Sequence, residues 1–561
     1  MIELLRQLDR HFAQRRDKIA LRDEPSQPGI TYGQLDEYSG RIYGYLKSRG
    51  IGREDTVLLC LPRGLRFPIA MVGVWKAGAA FVSCEDTYAP ERIEYIKNDC
   101  ACALVISDEN WAEILRADWL PGRETVEPHD LAYAVYTSGT TGNPKGVLHE
   151  FGNLDESCDC KRWEGERLMR EDDVLALNAP LNFVAAQDYI NNVLCAGASL
   201  FIVAYTYVKN PVALIELYEN VGVTCTFMTP SAFRVLQGMN AQMRWIILGG
   251  EVCANLCRDG LLLLNGYNMS EAGCDLCIFR IDRPYDVTPI GRNRGGKALR
   301  ILDEEGRDVP DGTAGELCFE NPFVRGYRNL PEKTAAAWRG GLFHSGDIAV
   351  RTASGDLILQ GRNDDMIKIN GNRIEPGEIE AACKRLLGLS WACAKGFAEE
   401  KQSYIVLYYL DDIRIDPDFM RRELLKTLPY YMLPTYYVRI DEIPLLPNGK
   451  INKKALAAPD KNAYRSAYVP PESPEQKKIC AVFCQILDLD EIGIDDDFFD
   501  LGGDSLRSIE AALELEDLGI NVSTLYRYRT ARKLSARWRR KAATERATMS
   551  GTHRRWSTTS P

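Results

Sequence analysis

The stretch Tyr136–Gly146, which reads YTSGTTGNPKG, combines glycine, hydroxyl and lysine residues in a pattern suited to binding phosphate. It directly follows LAYAVY at 131–136, a run typical of a buried strand. Its glycines let backbone amides approach phosphate oxygens, its hydroxyls add donors, and Lys145 adds a positive charge. Pro144 before the lysine and Gly146 after it exclude a Walker loop. We therefore expect a phosphate loop of another class here, and a plain surface loop rich in Gly and Thr is the alternative.

The segments around this phosphate loop have the periodicity of a layered α/β protein. Short β-rich runs, including VLLCL, AAFVSC, ALVIS, VLALNAP, SLFIVA, VTCTFM and RWIILGG, alternate with helix-length amphipathic segments at about 57–250. This alternation predicts α/β layers with largely parallel sheets. Beyond Gly361 the pattern becomes a smaller α+β unit, with helix signals at about 376–386 and 416–428.

Composition and charge narrow the class of protein. Hydrophobic residues make up 45% of the 561 positions, enough to fill several buried cores. The net charge of −10 argues against a nucleic-acid partner, because binding a phosphate backbone needs clustered Lys and Arg. The sequence has no signal-peptide-like stretch and no run of 18 apolar residues, so we expect a cytoplasmic protein without a membrane partner. Cys253, Cys257, Cys274 and Cys277 only loosely match a zinc site, and we expect reduced thiols.

Further motifs follow one another along most of the chain, from about Ile30 to Arg540. They are ITYGQL at Ile30, WKAGAAFVSCEDTYAPERI at Trp75, the phosphate loop, LGGE at Leu248, NGYNMSE at Asn265, GELCFENPFVRGYRN at Gly315, FHSGDI at Phe343, GRNDDMIKINGNRIEPGEIE at Gly361, PLLPNGKINKKAL at Pro444 and DDFFDLGGDSLRSIE at Asp496. In this order they resemble a nonribosomal peptide synthetase adenylation domain, of the acyl-adenylate-forming superfamily, fused to a peptidyl carrier protein.

The resemblance implies an α/β fold with three folded parts. A large N-terminal adenylation subdomain of layered α/β sheets is expected at 1–362 and a small α+β C-terminal subdomain at 363–462. A linker at 463–473, within a segment rich in Pro, Ser and Glu, leads to an all-α carrier domain of four helices at 474–540. The polar tail at 541–561 is predicted to be disordered.

The same resemblance implies a nucleotide site. Tyr267 is expected against the adenine face, Asp347 on both ribose hydroxyls and Arg362 beside the nucleotide, although loop charges of this kind are often merely solvated. Glu271 is implied as the magnesium ligand, in a segment that reads YNMSE where the family usually has Gly-Pro-Thr before the Glu. The residues implied to bind ATP are Thr137, Ser138, Gly139, Thr140, Thr141, Gly142, Lys145, Tyr267, Asp347 and Arg362.

Two residues of the small subdomain are implied in catalysis. Lys450 follows the tight-turn pair Asn448-Gly449 and is expected to bridge the substrate carboxylate and the α-phosphate, where it would stabilise developing charge. Asp364 resembles the hinge about which the small subdomain swings between adenylation and thioester formation.

The carrier segment supplies the attachment site. Ser505 matches the serine that receives 4'-phosphopantetheine, and Gly502 and Gly503 leave a bare loop that a modifying transferase can reach. Taken alone, GGDSL also suits a simple helix cap. We find neither the paired-His motif of a condensation domain nor the G-x-S-x-G of a thioesterase, so the product is expected to pass to another protein.

The substrate pocket departs from that of relatives that activate α-amino acids. In them an Asp pairs with the substrate α-ammonium, whereas the matching position here is Val184, which cannot. Val184 together with Asp275 resembles the pattern of β-alanine-activating relatives, with Asp275 as the amine partner and Asp188 as a second carboxylate. By the same match the pocket comprises Val184, Ala185, Asp188, Phe227, Ile247, Gly249, Gly266, Cys274 and Asp275, closed by Lys450.

Together these features predict an adenylate-forming ligase that activates an amino acid, most plainly β-alanine or another β- or ω-amino acid, and loads it on its own carrier. ATP, Mg²⁺ and 4'-phosphopantetheine are the expected cofactors. The expected partners are the amino acid, a phosphopantetheinyl transferase and a downstream synthetase or acyltransferase module in trans. A stand-alone acyl-CoA ligase is one alternative, which the fused carrier argues against. A non-catalytic scaffold is another, opposed by the presence of Lys145, Glu271, Asp347 and Lys450.

Overall fold

The phosphate loop connects two strands of a six-stranded sheet. A computed structural model of the chain describes residues 2–538 except 87, 140–142, 161, 164–165, 209–210, 237–242, 294–296, 363–365, 370–371, 400–401, 412–414, 445–450, 460–467, 488, 500, 504, 516–517, 521–523 and 526–527. In spatial order the sheet contains β19 (Val324–Tyr327), β7 (Lys145–Glu150), β6 (Leu131–Thr137), β4 (Ala80–Glu85), β3 (Thr56–Leu61) and β5 (Leu104–Ser107). Strands β6, β4, β3 and β5 are parallel, and β7 runs antiparallel to β6, with Lys145 paired to Thr137.

A nine-stranded sheet supplies the other wall of the site. Its order is β16 (Arg292–Asn293), β15 (Asp275–Arg280), β14 (Leu262–Asn268), β13 (Trp245–Leu248), β12 (Cys225–Met228), β10 (Val174–Leu177), β11 (Ser199–Ile202), β1 (Ile19–Arg22) and β2 (Ile30–Thr31). The strands from β14 to β1 are parallel, whereas β15 returns antiparallel to β14. The turn between β14 and β15 carries Glu271. The prediction of largely parallel sheets is therefore confirmed for the centre of both sheets. Antiparallel pairing is found at both edges of the nine-stranded sheet and at the β7–β19 edge of the six-stranded sheet.

Helices pack between and around these two sheets and close one large core. They are α1 (Glu3–Gln14), α2 (Tyr32–Ser48), α3 (Arg66–Lys76), α4 (Pro90–Asp99), α5 (Asp108–Ile114), α6 (Gly152–Cys160), α7 (Val184–Ala196), α8 (Tyr205–Val208), α9 (Pro211–Val221), α10 (Pro230–Val235) and α11 (Pro331–Ala337). Thr31 begins α2 with a capping box to Gln34, and Gly197 ends α7 at φ +70°, a conformation that favours glycine. Residues of β3 and of β10 share this core, which fixes the two sheets against each other.

A third, antiparallel sheet follows and carries the Asp347 strand. It contains β17 (Leu299–Leu302), β18 (Ala314–Phe319), β21 (Leu342–Arg351) and β20 (Trp338–Arg339) in that order, with β22 (Leu357–Arg362) also paired to β21. A short ribbon of β8 (Arg162–Trp163) and β9 (Glu166–Arg167) stands apart from the sheets.

After Arg362 the chain forms a smaller α+β unit with its own core. It contains β23 (Ile367–Ile369), β24 (Asn372–Ile374), α12 (Pro376–Leu387), β25 (Trp391–Glu399), β26 (Gln402–Leu410), α13 (Pro417–Leu424), β27 (Tyr436–Arg439) and 3₁₀ turns at Tyr430–Met432 and Lys453–Ala455. Ile374, Ile379 and Leu407 are among its buried residues. The helix expected at 416–428 is shorter, because the residue before Pro429 is disfavoured in helical conformation and the last turn opens.

The C-terminal part of the described chain is helical. It contains α14 (Pro474–Leu487), α15 (Ser505–Glu514) and a helical segment at 531–538, which pack around Phe483, Phe498 and Leu515. Within the described segments, no helix combines the length and the apolar character that crossing a bilayer requires. The fold class is thus confirmed as a mixed α/β domain followed by a smaller α+β unit and a helical C-terminal part. The exact domain boundaries, the count of four carrier helices and the disorder of the tail stay predictions.

Candidate active site

A cavity of about 360 Å³ lies where the phosphate loop, the nine-stranded sheet and the small α+β unit meet. Thr137 and Ser138 of the phosphate loop line one side, and Met269 and Ser270 of the β14–β15 turn lie opposite. The small unit closes the cavity with Met366, Arg373 and Tyr431, and Arg362 at the end of β22 also lines it. The start of α7 and β12 with its following turn also line the cavity, mostly with apolar side chains.

Lys145 and Glu271 form a buried pair, and Glu271 contacts Arg373, which lines this cavity. The lysine Nζ lies 3.4 Å from Glu271 Oε1 and donates to the Tyr327 hydroxyl at 3.1 Å, while Tyr327 donates in turn to Glu271 Oε1 at 2.7 Å. Burial lowers the pKa of Lys145 to about 8, and the nearby Arg373 guanidinium acts in the same direction. The lysine therefore has a charge that titrates near neutral pH.

The Glu271 carboxylate is fully buried and ionised. Burial alone would raise its pKa, but Arg373, Lys145 and the Tyr327 hydroxyl outweigh burial and hold the pKa at about 2. Arg373 Nη1 lies 3.0 Å from Glu271 Oε2. A permanently charged carboxylate oxygen is a donor that Mg²⁺ accepts, so the residue fits the metal implied for it. A bound ion would take over the charge balance that Arg373 now supplies.

The residues implied at the nucleoside end are brought together by three strands, with Tyr267 on β14. Asp347 on β21 lies opposite Arg362 on β22, and Arg362 Nη1 is 2.5 Å from Asp347 Oδ1. The Tyr267 hydroxyl donates to Asp347 Oδ2, and burial raises the pKa of that tyrosine well above its ordinary value. The three side chains thus form one connected group.

The small unit contacts the phosphate loop through residues that we did not assign from sequence. Ser138 Oγ donates to the Arg373 carbonyl at 2.8 Å and accepts from the Glu375 amide at 3.1 Å. The Gly139 amide donates to Glu378 Oε2 at 3.0 Å, and Arg92 Nη1 lies 2.7 Å from Glu378 Oε1. Arg92, Tyr327, Arg373, Glu375 and Glu378 all lie inside motifs quoted above, in APERI, GYRN and GNRIEPGEIE, and this was the one signal available for them.

The predicted substrate-pocket residues divide into two groups. Those that line the cavity are Val184, Ala185, Phe227, Gly249 and Gly266. Four others, Asp188, Ile247, Cys274 and Asp275, are not among its lining residues.

Asp275 and Asp188 differ in their distance from the cavity wall. A methyl group placed on Gly266 would lie 3.4 Å from Asp275 Oδ1 and 2.8 Å from Ile247 Cγ2, so both side chains lie directly behind that glycine. The Tyr189 hydroxyl is 3.4 Å from Asp275 Oδ2. Asp188 Oδ1 instead accepts from Ser157 Oγ at 2.6 Å and from Asn192 Nδ2 at 3.1 Å, in a buried position between α6 and α7.

Several predicted residues have no described geometry. Ser505 begins α15 as expected, but its side chain is outside the described atoms, and Thr140, Thr141, Gly142, Asp364 and Lys450 lie outside the described residues. Gly502 and Gly503, which come shortly before Ser505, occupy positions where a residue with a side chain would be strained. Gly502 has a φ of +101°, and a side chain at Gly503 would come within 2.3 Å of the Phe498 ring.

Two protein-family profiles match the chain in separate segments. The family described as AMP-binding enzyme matches residues 8–328, and the phosphopantetheine attachment site matches residues 477–538. Surfactin synthase subunit 1 of Bacillus subtilis is 32% identical over 542 residues, and tyrocidine synthase 2 of Brevibacillus parabrevis is 30% identical over 523 residues. These alignments cover 88% and 87% of this chain but 15% and 14% of the relatives, so the chain spans a small part of their length.

Solved structures show the same arrangement. A four-domain nonribosomal peptide synthetase bound to AMP and glycine is 26% identical, with a TM-score of 0.59, over 96% of this chain and 42% of that one. A nonribosomal peptide synthetase protein containing adenylation and carrier domains is 21% identical, with a TM-score of 0.74, over 92% of both chains. The second likeness supports the fold of the whole chain from the phosphate loop to the carrier.

Proposed function

Because the chain belongs to the family of AMP-binding enzymes and also contains a phosphopantetheine attachment domain, we propose that it adenylates an amino acid and transfers it to its own carrier. Enzymes of this adenylate-forming ligase family use ATP and Mg²⁺, and the attachment domain carries 4'-phosphopantetheine. The carboxylate of the substrate attacks the α-phosphate, pyrophosphate leaves, and the pantetheine thiol at Ser505 displaces AMP to give a thioester.

One observation carries this proposal. Arg373 and Arg362 both line one cavity; Arg373 contacts Glu271 of the Lys145–Glu271 pair, and Arg362 contacts Asp347, which also bonds Tyr267. Lys145 would bind phosphate oxygens, Asp347 would accept the ribose hydroxyls, and Glu271 would hold Mg²⁺, which neutralises triphosphate charge when bound. Lys450 would stabilise the charge that develops at the α-phosphate.

The substrate we propose is β-alanine or another short β- or ω-amino acid. Val184 lines the cavity at the position where an Asp would pair with an α-ammonium, and an unpaired buried ammonium costs on the order of 3–5 kcal/mol. Asp275 lies directly behind Gly266 and offers a carboxylate to an amine one or two carbons further along. Asp188 bonds Ser157 and Asn192 between α6 and α7, whereas Asp275 Oδ1 lies next to Gly266, which lines the cavity, and this position favours Asp275 as the partner.

The test is ATP–pyrophosphate exchange with the purified full-length chain across a substrate panel. We expect the strongest exchange with β-alanine or a close homologue, weak exchange with α-alanine and glycine, and none with neutral aryl or hydroxy acids. A phosphopantetheinyl transferase should add one phosphopantetheine to the protein. The modified protein should then accumulate the aminoacyl thioester, as measured by intact mass. Exchange with every substrate absent would favour a carrier-delivering scaffold, and product release as a CoA thioester without Ser505 would favour an acyl-CoA ligase.

The proposed partners follow from the attachment domain. A phosphopantetheinyl transferase must modify Ser505, and a downstream synthetase or acyltransferase module must accept the loaded thioester. The chain covers 15% and 14% of surfactin synthase subunit 1 and tyrocidine synthase 2, which supports a role beside further modules.

A further inference from the structure

A cluster of three metal-binding side chains lies on the antiparallel sheet, apart from the residues that line the nucleotide cavity. Among the residues that the structure describes, Glu316, Cys318 and His344 bring a carboxylate oxygen, a thiol sulfur and an imidazole nitrogen within 4.8 Å of one another. None of the three has a role in the adenylation chemistry proposed above.

Strand pairing places these side chains on one face of the sheet. Cys318 on β18 is directly opposite His344 on β21 in the antiparallel register. Glu316 lies two residues before Cys318 on the same strand, and residues two apart in a strand point to the same face. The register shifts between Glu316 and Cys318, which is the kind of irregularity that redirects a side chain.

The donor atoms already converge. His344 Nδ1 lies 2.8 Å from Glu316 Oε2 and 3.4 Å from Cys318 Sγ, so one ring nitrogen faces both other donors. The second oxygen of Glu316 accepts from the Gly346 amide at 2.9 Å, which fixes the direction of the carboxylate. Arg339 approaches Glu316 Oε2 at 3.7 Å and would have to give way to a cation.

We propose that Glu316, Cys318 and His344 form a zinc-type transition-metal site. Tetrahedral zinc, with Zn–N of about 2.0–2.1 Å and Zn–S of about 2.3 Å, separates its ligand atoms by roughly 3.4–3.6 Å. The nitrogen–sulfur distance already has this value, and the nitrogen–oxygen distance has to open by about 0.6 Å.

The chemistry and burial of the cluster also suit such an ion. Thiolate, imidazole and carboxylate groups all bind zinc and cobalt, whereas a Glu–His hydrogen bond alone does not require a buried thiol beside it. Cys318 is fully buried, while the side chains of His344 and Glu316 are 13% and 17% exposed. The site is thus reachable from solvent, and a water molecule can take the fourth position. A bound metal would cross-link β18 to β21 three residues before Asp347.

Cobalt provides the test because a thiolate–Co²⁺ bond gives a near-ultraviolet charge-transfer band that oxygen ligands do not give. The chelator-treated full-length chain, titrated with Co²⁺, should develop this band to saturation at one equivalent, and Zn²⁺ should displace it. Cys318→Ser and His344→Asn should each remove the band, and Glu316→Gln should weaken Co²⁺ binding at least about tenfold. Cys393→Ser, at a buried strand cysteine of the small unit, is the control and should keep it.

A second readout covers the case in which a variant folds poorly. Zn²⁺ should raise the Tm of the unaltered chain and of Cys393→Ser. It should leave the Tm of His344→Asn unchanged, because that variant lacks the imidazole ligand although it retains the thiol. The proposal is wrong if no band forms, or if the band and the zinc-dependent Tm shift persist undiminished in both Cys318→Ser and His344→Asn. Neither readout depends on adenylation, so this test stands apart from that of the proposed function.

Discussion

Lys145 has its charge set by burial, because it is enclosed by Tyr327, Glu271 and Arg373 rather than by water. With a pKa of about 8, the ammonium is mostly protonated at pH 7 and mostly neutral at pH 9. Its positive charge is what a triphosphate needs, so binding should weaken as the pH rises through this value.

The first prediction therefore concerns pH. In exchange assays, kcat/KM for MgATP should fall by about tenfold between pH 7 and pH 9, because the protonated fraction of Lys145 falls by that factor. Lys145→Arg should have lower activity but a flat profile over this range, since the guanidinium stays charged. Lys97→Arg, at an exposed lysine, is the control and should follow the unaltered enzyme. A decline of equal size in Lys145→Arg would contradict the assignment.

Asp275 carries the second prediction, which concerns the amine of the substrate. Asp275→Asn should lower kcat/KM for β-alanine at least about tenfold, since a charge-assisted hydrogen bond contributes roughly 1.5–3 kcal/mol. Asp188→Asn is the matched comparison, because Asp188 is equally buried but bonded to Ser157 and Asn192. A larger loss at Asp188 would move the amine contact there. Strong activity with α-alanine that is unchanged in Asp275→Asn would refute the substrate proposal. It would not affect the proposal that the chain catalyses adenylation.

Some contacts between individual site residues were predicted from the sequence, and others were not. Tyr267, Asp347 and Arg362 were expected in one nucleotide site, and the structure places them in mutual contact. Arg373 and Glu378 lie in a motif that we had quoted without giving either residue a role. Their partners Glu271, Gly139 and Arg92 are more than 100 positions away, and only tertiary packing brings such residues together.

At the scale of elements, local periodicity located strands but not their neighbours. The runs VLLCL, ALVIS and RWIILGG correspond to β3, β5 and β13. These continuous apolar runs suit strands buried on both faces, since Val57 and Leu59 face one core and Leu58 another. The order β10-β11-β1 in the nine-stranded sheet joins strands far apart in sequence, and no local pattern specifies such pairings. The α12 helix was located to within a residue because Pro376 begins it and Gly388 ends it.

Helix α12 also determines how the small unit sits on the phosphate loop. Its Glu378 accepts from the Gly139 amide and pairs with Arg92 of α4, and both charged side chains are almost fully buried. A Gly139 amide bonded to Glu378 cannot at the same time bind a phosphate oxygen. We therefore expect this contact to open when the loop binds phosphate and to serve the later step in which the thioester forms.

The third prediction follows from that arrangement. Glu378→Gln leaves Arg92 buried without its counter-ion, and removing one partner of a buried pair typically costs about 3–5 kcal/mol. Carrier loading should therefore slow by at least about tenfold, while pyrophosphate exchange should stay within about threefold. Glu91→Gln, at an exposed carboxylate beside Arg92, should change neither rate. Equal losses in exchange and in loading would show that the contact serves adenylation as well.

For the whole molecule, the sequence motifs predicted an adenylate-forming part and a phosphopantetheine attachment part in one chain, and the two family matches confirm both parts. The adenylating part and the carrier were recognisable because each depends on short motifs of fixed spacing. Neither motif specifies where the carrier lies relative to the cavity in each step, since that depends on surfaces and on a linker that is rich in Pro and Ser. The order of events must therefore be tested through the two half-reactions.

The fourth prediction separates those half-reactions by one residue in each part of the chain. Lys450 is expected to act only at adenylation, where it would stabilise charge at the α-phosphate, and Ser505 only afterwards, as the attachment point of the thiol. Lys450→Ala should slow pyrophosphate exchange by about 100-fold or more, in line with losing a charged transition-state contact. Ser505→Ala should leave exchange nearly unchanged and abolish both pantetheine addition and thioester formation. Lys454→Ala, in the same motif, controls for a general effect of removing a lysine there.

Exchange is measured with the apo protein, and loading is measured by intact mass after phosphopantetheinylation, so each variant is tested in both steps. If Lys450→Ala and Ser505→Ala behaved alike in the two assays, the division of labour between the small unit and the carrier would be wrong. If Lys450→Ala impaired loading but left exchange intact, that lysine would instead act in thioester formation.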